Sequence, residues 1–592
     1  VCVVDGGVQR GHPLLAGSLN VDDVHVVDPT WSKTPVAGHG TEMAGLALFG
    51  DLEDAVTSGN RIVLLHRLES VKFLPDAQGN DPDLYGAITA QAVDRPEIQA
   101  PHRPRVFMMA VTAAVPVRPS ADDTKPPAAG KPTSWSSAID ALAYGRAIEE
   151  KGDRLTLLDR DEAAHPRLFV ISAGNIRDLD PADDHLDRSD LEPVEDPAQA
   201  WNAITVGAYT EKDDMDGAHP SFKGYTPVAS RGELSPTSRT SVLFQRRKPD
   251  PTDGDEAATN SSTWMWPFKP EVVAEGGNVA ASPDRTQVDT PDNLAVLTTR
   301  LQLPGQGYFT TTRDTSAATA QVAAIAADIE AAYPGLRPET VRALVVHSAE
   351  WTEAMLGRID RAANKTEAVN LLRRYGMGVP SLGRALRSAS DALTLVVEST
   401  IRPFMRHGQA AAGTTREMNL HRLPWPADVL EQMGEADVRL RITLSYFIEP
   451  NPSSRGWNGR YAYPSFGLRF AMRRPEESVD GFRKRINKKA RGEGEKNPRL
   501  STEKGWLFGA DQQQAPGSLH TDIWTGSAAD LASKGAIAVY PVGGWWKTRP
   551  RLDQSDQGVP YSLVASIESP EVDADLWTPV AQMVMPEITI TS

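Results

Sequence analysis

The sequence predicts an α/β fold, with a parallel sheet flanked by helices, followed by a C-terminal antiparallel β-sandwich domain. Short unbroken apolar runs, of the kind carried by strands buried on both faces, recur along the first two-thirds of the chain. Helix patterns lie between them, and strands alternating with helices build a parallel sheet covered on its faces. After about Asp391 the strand-like stretches mostly alternate apolar and polar residues with few helices between them, as antiparallel sheets do.

The elements follow in order. Val1-Cys2-Val3-Val4 is a strand ending in Asp5. Further strands are expected at 61–65, 106–111, 168–171 and 203–206. Helices are expected over 40–49, 83–93, 135–150, 316–333 and 338–348, the last opening on Pro338, where proline is tolerated. Two stretches rich in turn residues, about 116–133 and 209–263, read as surface insertions. Alternating strands at 392–398, 438–447 and 561–567 mark the second domain, so the chain divides into residues 1–390 and 391–592.

Composition narrows the function. The chain has 592 residues, 40% hydrophobic and 24% charged, enough for a sizeable core without staples. A formal charge of −16 argues against a nucleic-acid partner bound through a general basic surface. The one basic stretch, Arg483 to Arg491, reads as a solvated loop. Cys2 is the single cysteine, so no internal disulfide forms. No apolar run of about 18 residues appears, so no membrane span is expected. The expected location is the cytoplasm. Secretion stays open, because Val1 lies inside a strand and residues upstream are expected.

Four segments carry chemistry. Asp5 ends the first strand, and in a parallel sheet the carboxyl ends of strands face the active crevice. His39 sits between Gly38 and Gly40, followed by the small residues Ala44 and Gly45, which let a helix pack closely and hold the ring still. Ser316 opens a helix of small residues. A serine there is commonly an N-cap, but the same place aims backbone N–H groups at a developing oxyanion. Asn175 ends a buried strand at a Gly-Asn turn and is either a plain turn residue or an amide donor to that oxygen. Nucleophile, base and orienting carboxylate are the three parts that acyl transfer by a serine requires.

Together these segments resemble the subtilisin-like (subtilase) family, whose catalytic order is Asp, His, Ser. Trp135 to Leu142, Ile204 to Ala208 and Lys269 to Ala274 agree with it, and the resemblance covers roughly residues 1–385. It implies a serine endopeptidase with Asp5, His39 and Ser316 as triad and Asn175 as oxyanion donor. Val111 and Thr112 would lie along an extended substrate, and Ser172, Ala173 and Gly174 would line the pocket for the residue before the scissile bond. The expected partner is a protein or peptide substrate. No cofactor and no metal site are expected. If His39 acts as a neutral base, activity should rise with pH near its reference value of about 6.5.

The chain departs from the family's pattern at Gly6, at Asp314 in place of a glycine, and at Ala320 in place of a proline. Asp314 either tunes the site or points to solvent. Segments 445–452 and 543–547 resemble bacterial subtilases encoded beside an AAA-type ATPase in antiphage systems. That likeness implies antiviral defence and an AAA-type ATPase as a possible regulating partner. The many tryptophans, 524, 545 and 546 among them, point to a separate β domain. Such a domain has the exposed-aromatic potential of an interaction module, since tryptophan and tyrosine are favoured interface anchors. Two other readings stay open: a silent scaffold that binds a partner through its β domain, and a hydrolase of esters.

Overall fold

The computed structural model describes the chain apart from residues 77–78, 114–128, 152–153, 158–164, 245–265, 363, 387–391, 409, 411, 424–426, 454–461, 476, 493–503, 550–553, 555, 569–587 and 592. Two compact units result, one made of Val1–Phe244 with Pro267–Leu382, the other of Gln245–Trp266 with Gly383–Ser592.

The first unit is built on strands β1 Cys2–Asp5, β2 Leu19–Val26, β3 Leu68–Lys72, β4 Val106–Met109, β5 Leu168–Ser172, β6 Ile204–Thr210, β7 Glu233–Leu234 and β8 Val272–Glu275. The parallel order is β2-β3-β1-β4-β5-β6, with β8 parallel and β7 antiparallel to β6. The chain fills one side of β1 and then crosses to the other. A crevice therefore opens beyond the carboxyl end of β1, where Asp5 stands. Every residue of β1, β4, β5 and β6 is buried, which is why these strands read as continuous apolar runs.

The strand expected at 61–65 is not one. Those residues are irregular and exposed, Val63 at 70%, and the strand lies further on at β3. Its sequence, Leu-Glu-Ser-Val-Lys, hides its burial behind two charges that find partners. Glu69 pairs with Arg103 and Arg105 at 2.6 and 2.7 Å, and Lys72 with Asp76 at 2.6 Å.

Among the helices are α1 His39–Phe49, α2 Tyr85–Gln99, α3 Ser134–Tyr144, α4 Asp314–Ala332 and α5 Pro338–His347. The helix expected to reach residue 150 stops at Tyr144. Gly145 turns left-handed there with φ 97°, and a Cβ on it would lie 2.6 Å from the His165 backbone nitrogen. Ile148–Lys151 then pairs with Arg154–Leu157 as a hairpin. Helix α4 lies against β4, β5, β6 and β8, and its buried alanines permit the close approach.

The segment expected as a surface insertion at 209–263 falls partly outside the described residues. Residues 211–231 are mostly exposed, as an insertion would be, but the later part is a correction, because Glu233, Leu234, Ser235, Thr237, Ser238, Thr240 and Ser241 are buried and β7 joins the main sheet. Most of the other expected insertion, at 116–133, lies outside the described residues.

The second unit carries β9 Ala392–Ile401, β10 Glu417–Arg422, β11 Asp437–Ser445, β12 Gly467–Met472, β13 Leu519–Ser527, β14 Ala536–Val542, β15 Val559–Glu568 and β16 Ile588–Thr591. They form two four-stranded antiparallel sheets, β9-β15-β11-β13 and β12-β14-β10-β16. Polar bonds link the two sheets: Asn419 Nδ2 donates to Tyr561 Oη at 2.9 Å, and His421 Nε2 lies 2.6 Å from the same oxygen.

Two expectations about this unit are corrected. The basic stretch is a helix, Val479–Gly492. It buries Phe482 and Ile486 against the sheet at four-residue spacing and turns Arg483, Lys484 and Lys488 outward. The exposed-aromatic potential is not met by the three tryptophans, which are buried: Trp524 at 3%, Trp545 at 1% and Trp546 at 4%. Trp545 and Trp546 donate their indole N–H groups to the Glu449 carbonyl and carboxylate, at 3.1 and 3.0 Å.

Candidate active site

Helix α1 starts against the end of β1 because Gly40 has no side chain. A Cβ there would overlap the Gly7 carbonyl and crowd Asp5. The closeness sets His39 Nδ1 2.8 Å from Asp5 Oδ2, while the Gly6 N–H donates to Asp5 Oδ1 at 2.6 Å. With Nδ1–H turned to the acid, Nε2 is the nitrogen left for proton transfer. Gly45, further along α1, makes a second close approach. The Thr298 and Thr299 hydroxyls donate to the Glu42 and Thr41 carbonyls at 2.7 Å each, and a Cβ at Gly45 would collide with both. The sheet met by this small-residue face is the two-stranded one formed by Val296–Thr299 and Phe309–Thr312.

The Asp5 charge is the main cause that pushes the His39 pKa up to about 9. Burial opposes the rise, and Glu42 and Asp314 add to it. The reference value expected from sequence is therefore corrected upward. Glu42 has its own pKa raised by burial.

Ser316 is the third residue of α4, and its N–H is one of the first four that find no carbonyl inside the helix. The start of α4 is pinned where Asp314 N donates to Gly276 O at 2.7 Å. Asp314 stands in the left-handed region, φ 75°, which aspartate tolerates better than most residues. It does not point to solvent: it is 6% exposed, and its Oδ2 accepts from Arg177 Nη1 at 2.8 Å. The Ser316 hydroxyl donates to the Ala110 carbonyl at 3.0 Å rather than to His39.

Asn175 is locked onto the residue before the serine. Thr315 donates from both its N–H and its hydroxyl to Asn175 Oδ1, at 3.0 and 2.7 Å. Two donors identify the amide oxygen, and Nδ2 is then the donor offered to a ligand. Arg239 Nε holds the Asn175 carbonyl at 3.0 Å.

Beyond Met109 and Ile171, the last paired residues of β4 and β5, the two strands part. Val111 and Thr112 lie partly exposed on one side. Ser172 and Ala173 are buried on the other, and Gly174 leads to Asn175. Residues 195 and 196 cross the gap. Glu195 N donates to Ala173 O at 3.0 Å, and Asp196 exchanges backbone bonds with Ala113 at 2.9 and 3.0 Å. Sequence reasoning missed Glu195, Arg177 and Arg239, which lie in polar, turn-rich stretches without a motif. Among the described residues, no group of three His, Cys, Asp or Glu side chains is placed to hold a metal ion. Among the same residues, no helix is long and apolar enough to cross a membrane.

The sequence profile of the subtilase family matches residues 1–378. An uncharacterised protein, y4bN, of Sinorhizobium fredii (strain NBRC 101917 / NGR234) is 25% identical over 372 residues, which span 60% of this chain and 71% of that protein. Among solved structures, a cold-adapted subtilisin-like serine proteinase is 17% identical, with 59% of this chain and 81% of that chain covered and a TM-score of 0.30. A lanthipeptide protease is 15% identical, with 65% and 86% covered and a TM-score of 0.34.

Proposed function

The chain belongs to the subtilase family, and from that premise we propose that it is a serine endopeptidase whose triad is Asp5, His39 and Ser316. The observation that carries the reading is the 2.8 Å contact between His39 Nδ1 and Asp5 Oδ2 at the carboxyl end of the central strand. His39 Nε2 takes the Ser316 proton as the hydroxyl attacks a peptide carbonyl, and Asp5 holds the tautomer and stabilises the imidazolium. The Asn175 amide and the Ser316 backbone N–H receive the oxyanion. As it collapses the C–N bond breaks, and the His39 imidazolium gives its proton to the leaving amine. Water, deprotonated by His39, then hydrolyses the acyl-enzyme. A substrate strand laid along residues 110–112 competes for the Ala110 carbonyl. The Ser316 hydroxyl, released from its 3.0 Å bond, then turns to His39. The test is covalent labelling by a fluorophosphonate. Attachment at Ser316, abolished by Ser316→Ala, supports the assignment; labelling at another serine sinks it.

The silent-scaffold reading draws on the same bond, because a serine held on Ala110 is not poised on its base. A folded chain that takes no label would favour it. An intracellular role regulated by an AAA-type ATPase rests on the resemblance of segments 445–452 and 543–547, without the tryptophan anchors that would have supported an interface. The division into residues 1–390 and 391–592 is likewise a proposal. Limited proteolysis should nick near residues 385–400 or 475–500 and leave compact fragments, and nicking throughout the C-terminal third would remove it.

A further inference from the structure

The gap between the parted strands has an acid at its floor. Glu195 Oε2 accepts from the Thr112 hydroxyl at 2.6 Å on one wall. On the other wall it presses against Gly174, where a Cβ would lie 2.6 Å from the same oxygen. Only glycine leaves room for the carboxylate there. The walls end at the reacting groups, with Ala110 bonded to Ser316 and Gly174 adjoining Asn175. A peptide whose carbonyl sits at Ser316 and Asn175 therefore sends the side chain on the acyl side of that bond down between the walls, toward Glu195.

The charge around Glu195 is not balanced. Arg239 Nη2 reaches Glu195 Oε1 at 3.2 Å, but Arg239 Nη1 also holds Glu192 Oε2 at 2.8 Å. Arg188 completes the cluster between Glu192 at 2.9 Å and Asp178 at 3.1 Å. Three carboxylates share two guanidiniums, and Glu195 holds the longest of these ion pairs. A cation entering the gap would supply the missing charge.

Resting on the endopeptidase reading, we propose that Glu195 selects a lysine or arginine as the residue immediately before the scissile bond. The substrate class is then a protein cut after basic residues. An ammonium or guanidinium entering between Thr112 and Gly174 adds a charge-assisted hydrogen bond to Glu195. A neutral apolar side chain would leave the carboxylate desolvated without that return.

The test is kcat/KM on matched peptides differing only at that residue, for the wild-type chain and for Glu195→Gln. We expect the wild type to favour Arg or Lys over Leu by about tenfold or more, and the variant to lose most of that ratio. A wild-type preference for Leu or Phe, or an unchanged ratio in the variant, overturns the proposal. If Glu195→Gln does not fold, the wild type alone decides it. Peptidyl phosphonates carrying Arg or Leu at that position should inactivate at rates in the same ratio, and equal rates overturn it. Fluorophosphonate labelling of the same preparation separates the two failures. Labelled Ser316 with no basic preference removes only the role of Glu195, whereas an unlabelled, uncleaving chain removes the endopeptidase reading and this inference with it.

Discussion

At the base end of the cleft the Asp5 carboxylate meets the imidazole of His39 at 2.8 Å. At the oxyanion end Asp314 meets the guanidinium of Arg177 at 2.8 Å. One kind of acid is thus paired in two ways. A permanent cation cancels most of an acid's field on its surroundings, whereas a titratable partner absorbs that field as a shifted pKa. The difference suits the chemistry proposed for each end. The base must collect a proton and be stabilised as a cation. On that proposal the oxyanion would develop next to Asp314 and would be repelled if that charge were left uncompensated.

If the base end works through the Asp5 charge, removing the charge while keeping the shape should have the larger effect. Asp5→Asn should lower kcat by about 10⁴, because an amide stabilises no imidazolium and favours the wrong tautomer. Single-turnover kinetics on one peptide would show it, and a loss of less than tenfold would detach Asp5 from the mechanism. At the oxyanion end the contribution is one hydrogen bond among several. Asn175→Ala should lower kcat by about 10² to 10³ with little change in KM. An unchanged kcat in a folded variant would reduce Asn175 to a turn residue that happens to bind Thr315.

The two ends also differ in how far they were legible in the sequence. Asp5, His39, Asn175 and Ser316 each sit in a short local signature, at a strand end, between glycines or at a helix start, so neighbouring residues announce them. Arg177, Glu195 and Arg239 reach the site by folding of polar segments. Arg239 lies in a stretch that reads as surface, because serines and threonines there are buried by hydrogen bonds rather than by apolar character. The fold shows the same contrast. The apolar runs at β1, β4, β5 and β6 announce themselves, while β3 is concealed by Glu69 and Lys72, whose burial depends on partners elsewhere in the chain. In the second unit, Trp545 and Trp546 are buried with their N–H groups on Glu449, a pairing invisible before residues 449 and 545–546 are brought together.

The smallest expected effect joins the two ends. Asp314 belongs to the oxyanion end, yet it contributes to the raised pKa of His39, behind Asp5 and Glu42. The Asp5 charge holds the imidazole pKa up, to about 9, so the neutral base gains as pH climbs toward that value. kcat/KM should therefore rise with pH, with a midpoint above the reference value of about 6.5. Asp314→Asn keeps the volume and removes the charge, and should move that midpoint down, by less than removal of the Asp5 charge would. Arg177 keeps its charge in the variant, so the shift reads the lost carboxylate alone. A pH–rate profile of wild type and variant on a peptide with no ionising group near the scissile bond measures the shift. A large downward shift would mean that Arg177 does not offset Asp314 as the geometry suggests, and an upward shift would mean that Asp314 does not act on His39 through its charge. Coincident profiles would mean that the ion pair screens itself completely and that the two ends of the cleft are electrostatically separate.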